Sequence, residues 1–167
     1  MRVKIRNTFR LKGRVRVQVW DAKKYPTYQD VLTATHRGVE PLEEQVIDNL
    51  IVTAGKNHIA DLLANNGGTV NCGYVGVGSS SQTPAVGDTD LITAIGSRKA
   101  VTDDSRTNNV ANFSTFFASA DNNGTWNESG LFWDATAGDM LARALFSPAI
   151  TKDTTKTVTV DWSITVG

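Results

Sequence analysis

The chain has 167 residues, of which 40% are hydrophobic and 20% are charged, and its formal net charge is zero. This composition is typical of one globular domain and excludes a disordered or collagen-like chain. No run of about 18 apolar residues occurs, so we expect no membrane-spanning helix. The first twenty residues lack the uninterrupted apolar core of a signal peptide. The single cysteine, Cys72, excludes an internal disulfide and a multi-cysteine zinc site.

The net charge of zero hides an uneven distribution of charge along the chain. Residues 1–24 contain nine of the 17 basic residues and one acid, which gives this segment a charge of +8. The remaining 143 residues carry a charge of −8. Opposite charge in two parts of one chain commonly indicates an interaction partner.

The basic segment 1–24 alternates cations with β-branched residues, a period of two that predicts strands with one apolar and one cationic face. We expect a turn at residues 10–13 and therefore a β arm or hairpin. Three roles are open: a solvated edge strand, an arm laid on an acidic protein surface, or a nucleic-acid contact. The acidic remainder of the chain would repel phosphates, which disfavours nucleic acid as the partner. The candidate partner-binding residues are Arg2, Lys4, Arg6, Arg10, Lys12, Arg14 and Arg16.

Residues 25–48 show no firm periodicity, and we expect a linker of mixed structure there. The domain then extends over residues 49–167. A helix over about residues 54–64 is predicted, because Thr53 can cap its first turn and apolar residues recur at helical spacing.

The rest of the chain is predicted to form short strands separated by turns. Asn122-Asn123-Gly124 predicts a hairpin turn between strands at 110–119 and 125–133, since Asn-Gly accepts positive φ. The fold class that follows is mainly β: an antiparallel sandwich or barrel, jelly-roll-like, with one inserted α-helix and the basic N-terminal arm. Further strands are predicted at 74–78, 91–101, 140–146 and 157–166.

Signals for chemistry are weak, so we expect no catalytic, cofactor-binding or metal-binding residues and no enzymatic activity. His36 and His58 belong to no ligand pair, and Cys72 is expected to be a buried, inert thiol. Paired aspartates are expected to be solvated loop carboxylates, at Asp88 and Asp90 and at Asp103 and Asp104. A stacking platform for sugars remains an alternative to core packing for Trp126, Trp133 and Trp162.

Residues 127–132 (NESGLF), 140–146 (MLARALF) and 158–164 (VTVDWSI) follow one another in an order that resembles virion structural proteins of tailed bacteriophages. The segment 49–56, the predicted helix and residues 74–78 resemble the same proteins, so the resemblance covers roughly residues 49–166. The motif residues are Glu128, Gly130, Leu131, Phe132, Arg143 and Trp162.

The resemblance implies a non-enzymatic component of the virion, assembled in the host cytoplasm. The short chain without a repetitive shaft favours a capsid decoration (cement) or head-fibre protein that docks on the capsid lattice through its basic arm. A tail-fibre or baseplate component, or a glycan-binding module on the virion, is the alternative. The implied partners are the major capsid protein or tail proteins. By analogy with such proteins, the resemblance also implies a homo-oligomer, with a trimer as the expected form.

Overall fold

The computed structural model describes residues 10–64, 66, 71–137 and 139–167 of the chain. Within these residues the elements follow in this order: β1 (Leu11–Asp21), α1 (Tyr28–His36), β2 (Glu43–Asp48), β3 (Leu50–Ile51), α2 (Thr53–Ala64), β4 (Tyr74–Gly78), β5 (Lys99–Ala100), β6 (Asp103–Thr107), β7 (Val110–Phe117), β8 (Gly124–Phe132), β9 (Met140–Lys152) and β10 (Lys156–Val166). Neither helix of this described part has the length and apolarity to cross a membrane.

The strands form two antiparallel five-stranded sheets. Sheet 1 has the order β2-β1-β10-β7-β6, and sheet 2 has the order β3-β9-β8-β4-β5. This arrangement confirms the predicted mainly-β antiparallel sandwich. The core lies between the sheets, where alternate residues of β1 and β10 are buried, as the period of two requires. Strands β4, β8 and β9 of sheet 2 are largely buried on both faces, and the edge strand β6 is exposed along its length. Trp126 of sheet 2 meets Phe117 of sheet 1 edge-on in this core, with the ring centroids 5.0 Å apart.

Strand β1 lies inside sheet 1 and is not an arm. It pairs with β10 from Leu11 to Asp21 and with β2 on its other side. The predicted turn at residues 10–13 and the arm boundary at residue 24 are therefore wrong. The three valines Val15, Val17 and Val19 are at most 1% exposed, so their burial between the sheets keeps the strand in the fold. The first half of the predicted arm, residues 1–9, lies outside the described residues.

The predicted linker 25–48 contains a second helix, α1, as well as strand β2. A capping box begins α1: the Thr27 side chain accepts from the Asp30 amide, and the Asp30 side chain accepts from the Thr27 amide. Val31 and Ala34 of α1 pack on Trp20, on the outer face of sheet 1. The described part of the chain thus contains two helices where the sequence predicted one.

Helix α2 matches the predicted helix closely. Its Gly55 lies against the backbone of β9, and a Cβ atom there would be 2.6 Å from the Leu141 Cα. The glycine therefore sets the close approach of α2 to sheet 2.

The predicted hairpin at Asn122-Asn123-Gly124 is wrong in its strand partners, although the turn itself exists. Asn122 has φ 45° and Gly124 has φ 151°, as the turn residues suggest. The strand before the turn, β7, pairs with β6 and β10, and the strand after it, β8, pairs with β4 and β9. The turn therefore carries the chain from one sheet to the other. The predicted strand 91–101 is also wrong: only β5 is a strand there, and residues 79–98 form a loop over sheet 2.

Candidate functional site: an ion-pair cluster and the charged surface

The motif residues Glu128 and Arg143 form a buried ion pair on the outer face of sheet 2. Both side chains are 0% exposed, and Arg143 Nε donates to Glu128 Oε2 at 2.7 Å. Arg143 also donates from Nη1 to Asp88 Oδ2 at 2.8 Å and from Nη2 to the Gln82 carbonyl at 2.9 Å. Through its contacts with Asp88 and Gln82, the guanidinium therefore holds the 79–98 loop against strand β9.

Glu128 holds the same loop from strand β8. Its carboxylate accepts from the amide of Thr93 at 2.9 Å and from the amide of Ile92 at 3.3 Å. The neighbouring strand carries Gly78 opposite Glu128, where a Cβ atom would lie 2.5 Å from Glu128 Oε1. Glycine at this position leaves the space that the carboxylate occupies.

The remaining motif residues complete the packing around this cluster. Gly130 pairs with Arg143 across the strands, and a Cβ atom there would be 2.7 Å from the Phe132 ring. Arg98 of the loop stacks over that ring at 3.6 Å and bonds Asp90 at 3.0 Å. The structure thus brings together four motif residues, Glu128, Gly130, Phe132 and Arg143, and places Leu131 and Trp162 in the core between the sheets. The first four residues hold the 79–98 loop on sheet 2, and Leu131 and Trp162 pack the two sheets together.

The predicted basic face is partly neutralised by acids of strand β2. Arg16 Nη2 lies 2.9 Å from Glu44, and Arg14 lies 3.7 Å from Asp48. Hydrogen bonds from Gln18 and then from Arg16 hold the pKa of Glu44 below its usual value. Because residue 16 faces β2 across the strand pair, these contacts follow from the position of β1 inside the sheet.

Two of the candidate partner-binding cations lie at the start of β1 and have no acid partner among the described residues. Arg10 and Lys12 are exposed and form no ion pair with the described residues. The other candidate residues, Arg2, Lys4 and Arg6, lie outside the described part of the chain. The sequence shows five bases and no acid in residues 1–12. The basic candidate surface is therefore shorter than the sequence predicted.

Two of the three side chains considered for chemistry, Cys72 and His58, are buried. Cys72 is buried, and burial alone raises the pKa of its thiol to about 12, which matches the expected inert thiol. His58 is 8% exposed, bonds Asp139 at 2.8 Å and stacks on Trp133 at 3.9 Å. His36 is exposed at the end of α1.

The aspartates that the sequence placed in solvated loops divide into two kinds. The Asp88 side chain is bound to Arg143 and is only 9% exposed, so the prediction is wrong for Asp88. Asp90 pairs with Arg98, but its side chain stays 57% exposed in the loop, as predicted. Asp103 and Asp104 are exposed, on the edge strand β6. Among the described residues no group of three or more histidines, cysteines and acids lies close enough to hold a metal ion.

The three tryptophans considered for sugar stacking are core residues. Trp126 and Trp162 are 0% exposed, and Trp133 is 3% exposed. No ring face is open to a ligand, so the stacking platform predicted as an alternative is wrong for these residues.

Sequence reasoning missed a polar group beneath α1. Asp161 and Ser114 are neighbours across β10 and β7, and Tyr28 of α1 lies above them. Burial raises the pKa of Asp161, while the bond to Ser114 and the charge of Arg16 oppose that rise. Burial is also the main cause that raises the pKa of Tyr28. The signal available in the sequence was the capping box at Thr27 and Asp30, which marks the start of α1 but not the strands that the helix covers.

Comparison of the chain with protein-family models, with curated proteins and with solved structures gave no match.

Proposed function

We propose that this protein is a non-enzymatic structural component of a tailed-bacteriophage particle, and within that class a capsid decoration (cement) protein. The observation that carries the proposal is the meeting of Glu128, Gly130, Phe132 and Arg143 in one buried cluster. These are four of the six motif residues on which the resemblance to virion proteins rests, and their cluster holds the 79–98 loop on sheet 2. Motif residues that meet in one buried cluster support kinship in architecture better than residues scattered over the surface do.

The attachment mode that we propose uses the cations that precede β1 and lie at its start. Arg14 and Arg16 are withdrawn from this role, because Asp48 and Glu44 already pair with them. The basic residues of segment 1–12 keep a charge of +5 in the sequence. Such a segment can dock on an acidic site of the capsid lattice by charge complementarity.

The test is decoration of particles that lack this protein, with three purified forms of it. Deletion of residues 2–9 leaves every described strand in place, so we expect a folded protein that no longer joins the particle. The matched control is a variant with Arg14→Gln and Arg16→Gln, which removes two cations from β1 and leaves the N-terminal residues unchanged. Normal occupancy of the particle by the deleted form would contradict the attachment mode.

Electron microscopy of the parent particle separates the assignments within the virion. A decoration protein is expected in regular array on the head, whereas a tail-fibre or baseplate component is expected at the tail. Absence from the particle altogether would contradict the proposed function as a whole.

Binding to nucleic acid is the competing explanation for the basic segment. A filter-binding assay at several salt concentrations measures it directly, because phosphate contacts give an affinity that falls steeply with salt. We expect no saturable binding at physiological salt. Tight, salt-sensitive binding that the deletion of residues 2–9 abolishes would favour the nucleic-acid role.

A further inference from the structure

A buried carboxamide lies at the end of the sandwich where β1 begins. It belongs to Asn49, at the point where the chain crosses from β2 in sheet 1 to β3 in sheet 2. Its Oδ1 and Nδ2 atoms are both buried, and neither has a hydrogen-bond partner among the described residues. The side chain lies over Gly13, where a Cβ atom would be 2.1 Å from Asn49 Oδ1. A buried polar group without a partner lowers stability, so this carboxamide requires one acceptor and one donor from outside the fold.

A cavity of about 500 Å³ opens beside this carboxamide, at the start of β1 and against helix α2. Its lining contains three cations, Lys12, Arg14 and Lys56, and one acid, Asp48. Asp48 lies 3.7 Å from Arg14. Lys12 and Lys56 are exposed, and neither forms an ion pair within the described part of the chain. The cavity therefore presents two positive charges that no described acid neutralises.

The backbone of β1 is open on the side of this cavity. Arg10 and Gly167 exchange both of their backbone hydrogen bonds, so β1 bonds to β10 through its even-numbered residues. The N–H and C=O groups of Leu11 therefore point away from β10, towards the side of β2. Strand β2 pairs with β1 no further than Arg14, after which the chain crosses to the other sheet. Leu11 thus offers one donor and one acceptor that no strand of the described chain covers.

The two lysines lie on opposite faces of sheet 1 at this open edge. Lys12 is on the outer face, because Val15 and Val17 of the same strand point into the core. Lys56 lines a groove of α2 together with Leu11, whose side chain packs against the core. Neighbouring side chains of an extended chain also point to opposite faces. Two adjacent acids on an added strand can therefore reach one lysine each.

We propose that an extended, acidic segment of a partner protein binds at this edge as an added strand. Its backbone bonds the N–H and C=O of Leu11 and the carboxamide of Asn49, and two adjacent acids pair with Lys12 and Lys56. In recognition of this kind, main-chain hydrogen bonds supply affinity and alternate side chains supply specificity. The identity of the partner as a virion protein rests on the proposed function, whereas the site is a property of this chain alone.

The test measures binding of a short labelled peptide to the purified full chain by fluorescence polarisation. The peptide carries two adjacent glutamates between threonines and valines, and we expect it to bind saturably and more tightly than its counterpart with glutamines. K12E/K56E should bind the acidic peptide about tenfold or more weakly and should prefer a counterpart with two lysines. The matched control is K23E/K24E, which makes the same change of charge at two exposed lysines beyond the other end of β1.

The variant N49A separates binding from a structural role of the carboxamide. Because the side chain has no hydrogen-bond partner in the described fold, its removal should leave the free energy of unfolding in urea close to that of the wild type. Peptide binding should weaken about tenfold, since two hydrogen bonds to the peptide are lost. Unchanged peptide binding by N49A would assign the carboxamide to an internal water and overturn the proposal.

Three other results would overturn it: no saturable binding of the acidic peptide, equal binding of the glutamine counterpart, or an equal loss of binding in K23E/K24E. Displacement of the peptide by inorganic phosphate would also overturn it, in favour of a site for simple anions. Decoration of particles keeps this site distinct from the proposed function. If the peptide binds as expected and K12E/K56E still decorates normally, the site stands and the proposed attachment mode is contradicted. If the peptide does not bind and the wild type decorates, the site is contradicted alone.

Discussion

The ion pair between Glu128 and Arg143 offers the sharpest test of how this fold is held together. In R143M the methionine fills most of the arginine volume, but the Glu128 and Asp88 carboxylates lose their cation. Glu128 is 0% exposed and the Asp88 side chain 9%, so solvent cannot replace the lost partner. Removing one member of a buried pair costs about 3–5 kcal/mol, a large part of the stability of about 5–15 kcal/mol expected of such a domain.

The free energy of unfolding is measured by urea denaturation, and the melting temperature by circular dichroism. A loss of about 3–5 kcal/mol corresponds to a fall of about 6–20 °C in Tm for a domain of this size. Limited proteolysis adds a local measurement, since release of the 79–98 loop should expose new cleavage sites within it. The double variant E128Q/R143M is expected to lose less than the sum of its single variants, because the two residues share one interaction.

The matched control is R14M, which removes an arginine from an exposed pair. Arg14 and Asp48 lie 3.7 Å apart with side chains 67% and 88% exposed. An exposed pair contributes about 0–1 kcal/mol, so R14M should be close to wild type. If R143M unfolds at the same urea concentration as R14M, the argument that the buried cluster fastens the loop is refuted.

Three further predictions follow from the buried contacts. Gly55→Ala should lower the free energy of unfolding by about 1–3 kcal/mol, because the new Cβ would lie 2.6 Å from the Leu141 backbone, and this cost exceeds the gain in helix propensity. The matched control is Gly87→Ala, which adds a Cβ in open space and should leave the free energy of unfolding unchanged in the same urea denaturation assay. Because the pKa of Asp161 is raised in the folded protein, the folded state binds this proton more tightly than the unfolded chain, and the free energy of unfolding should fall as pH rises above the ordinary pKa of 3.8. In urea titrations at several pH values, D161N should reduce this fall. An equal dependence of the free energy of unfolding on pH in wild type and D161N would contradict the prediction. Burial raises the pKa of the Cys72 thiol to about 12, so the folded protein should react slowly with a disulfide reagent at mildly alkaline pH, whereas the protein unfolded in urea should react at once. Rapid reaction without urea would show that the thiol is not buried.

Strand faces and one helix were predictable because their signals are local. The alternation in β10 places Val158, Val160 and Trp162 on one face, and all three are 0% exposed. Apolar residues at helical spacing likewise predicted helix α2. Helix α1 was also marked locally, by its capping box at Thr27, but it has only nine residues and a weak apolar pattern.

Strand partners were not predictable, because pairing joins residues far apart in the chain. Val110–Phe117 and Gly124–Phe132 are separated by one short turn, yet they belong to different sheets. The turn residues fix backbone angles over a few positions and carry no information about the strand beyond. The same limit explains why Leu11–Asp21 was predicted as an arm: its cationic face indicated exposure, and its pairing with β2 was not visible.

By itself the sequence determined that the chain is a mainly-β domain with an uneven charge, since composition and a period of two are properties of short segments. Only the tertiary structure determined which charged side chains pair with one another. It paired Arg14 and Arg16 with acids some thirty residues away and left Arg10 and Lys12 without such partners. It also joined Arg143 to Asp88 across 55 residues and to Glu128 across 15. Ionic contacts act over a few ångströms, so their partners are set by the folded arrangement of the strands and not by order along the chain.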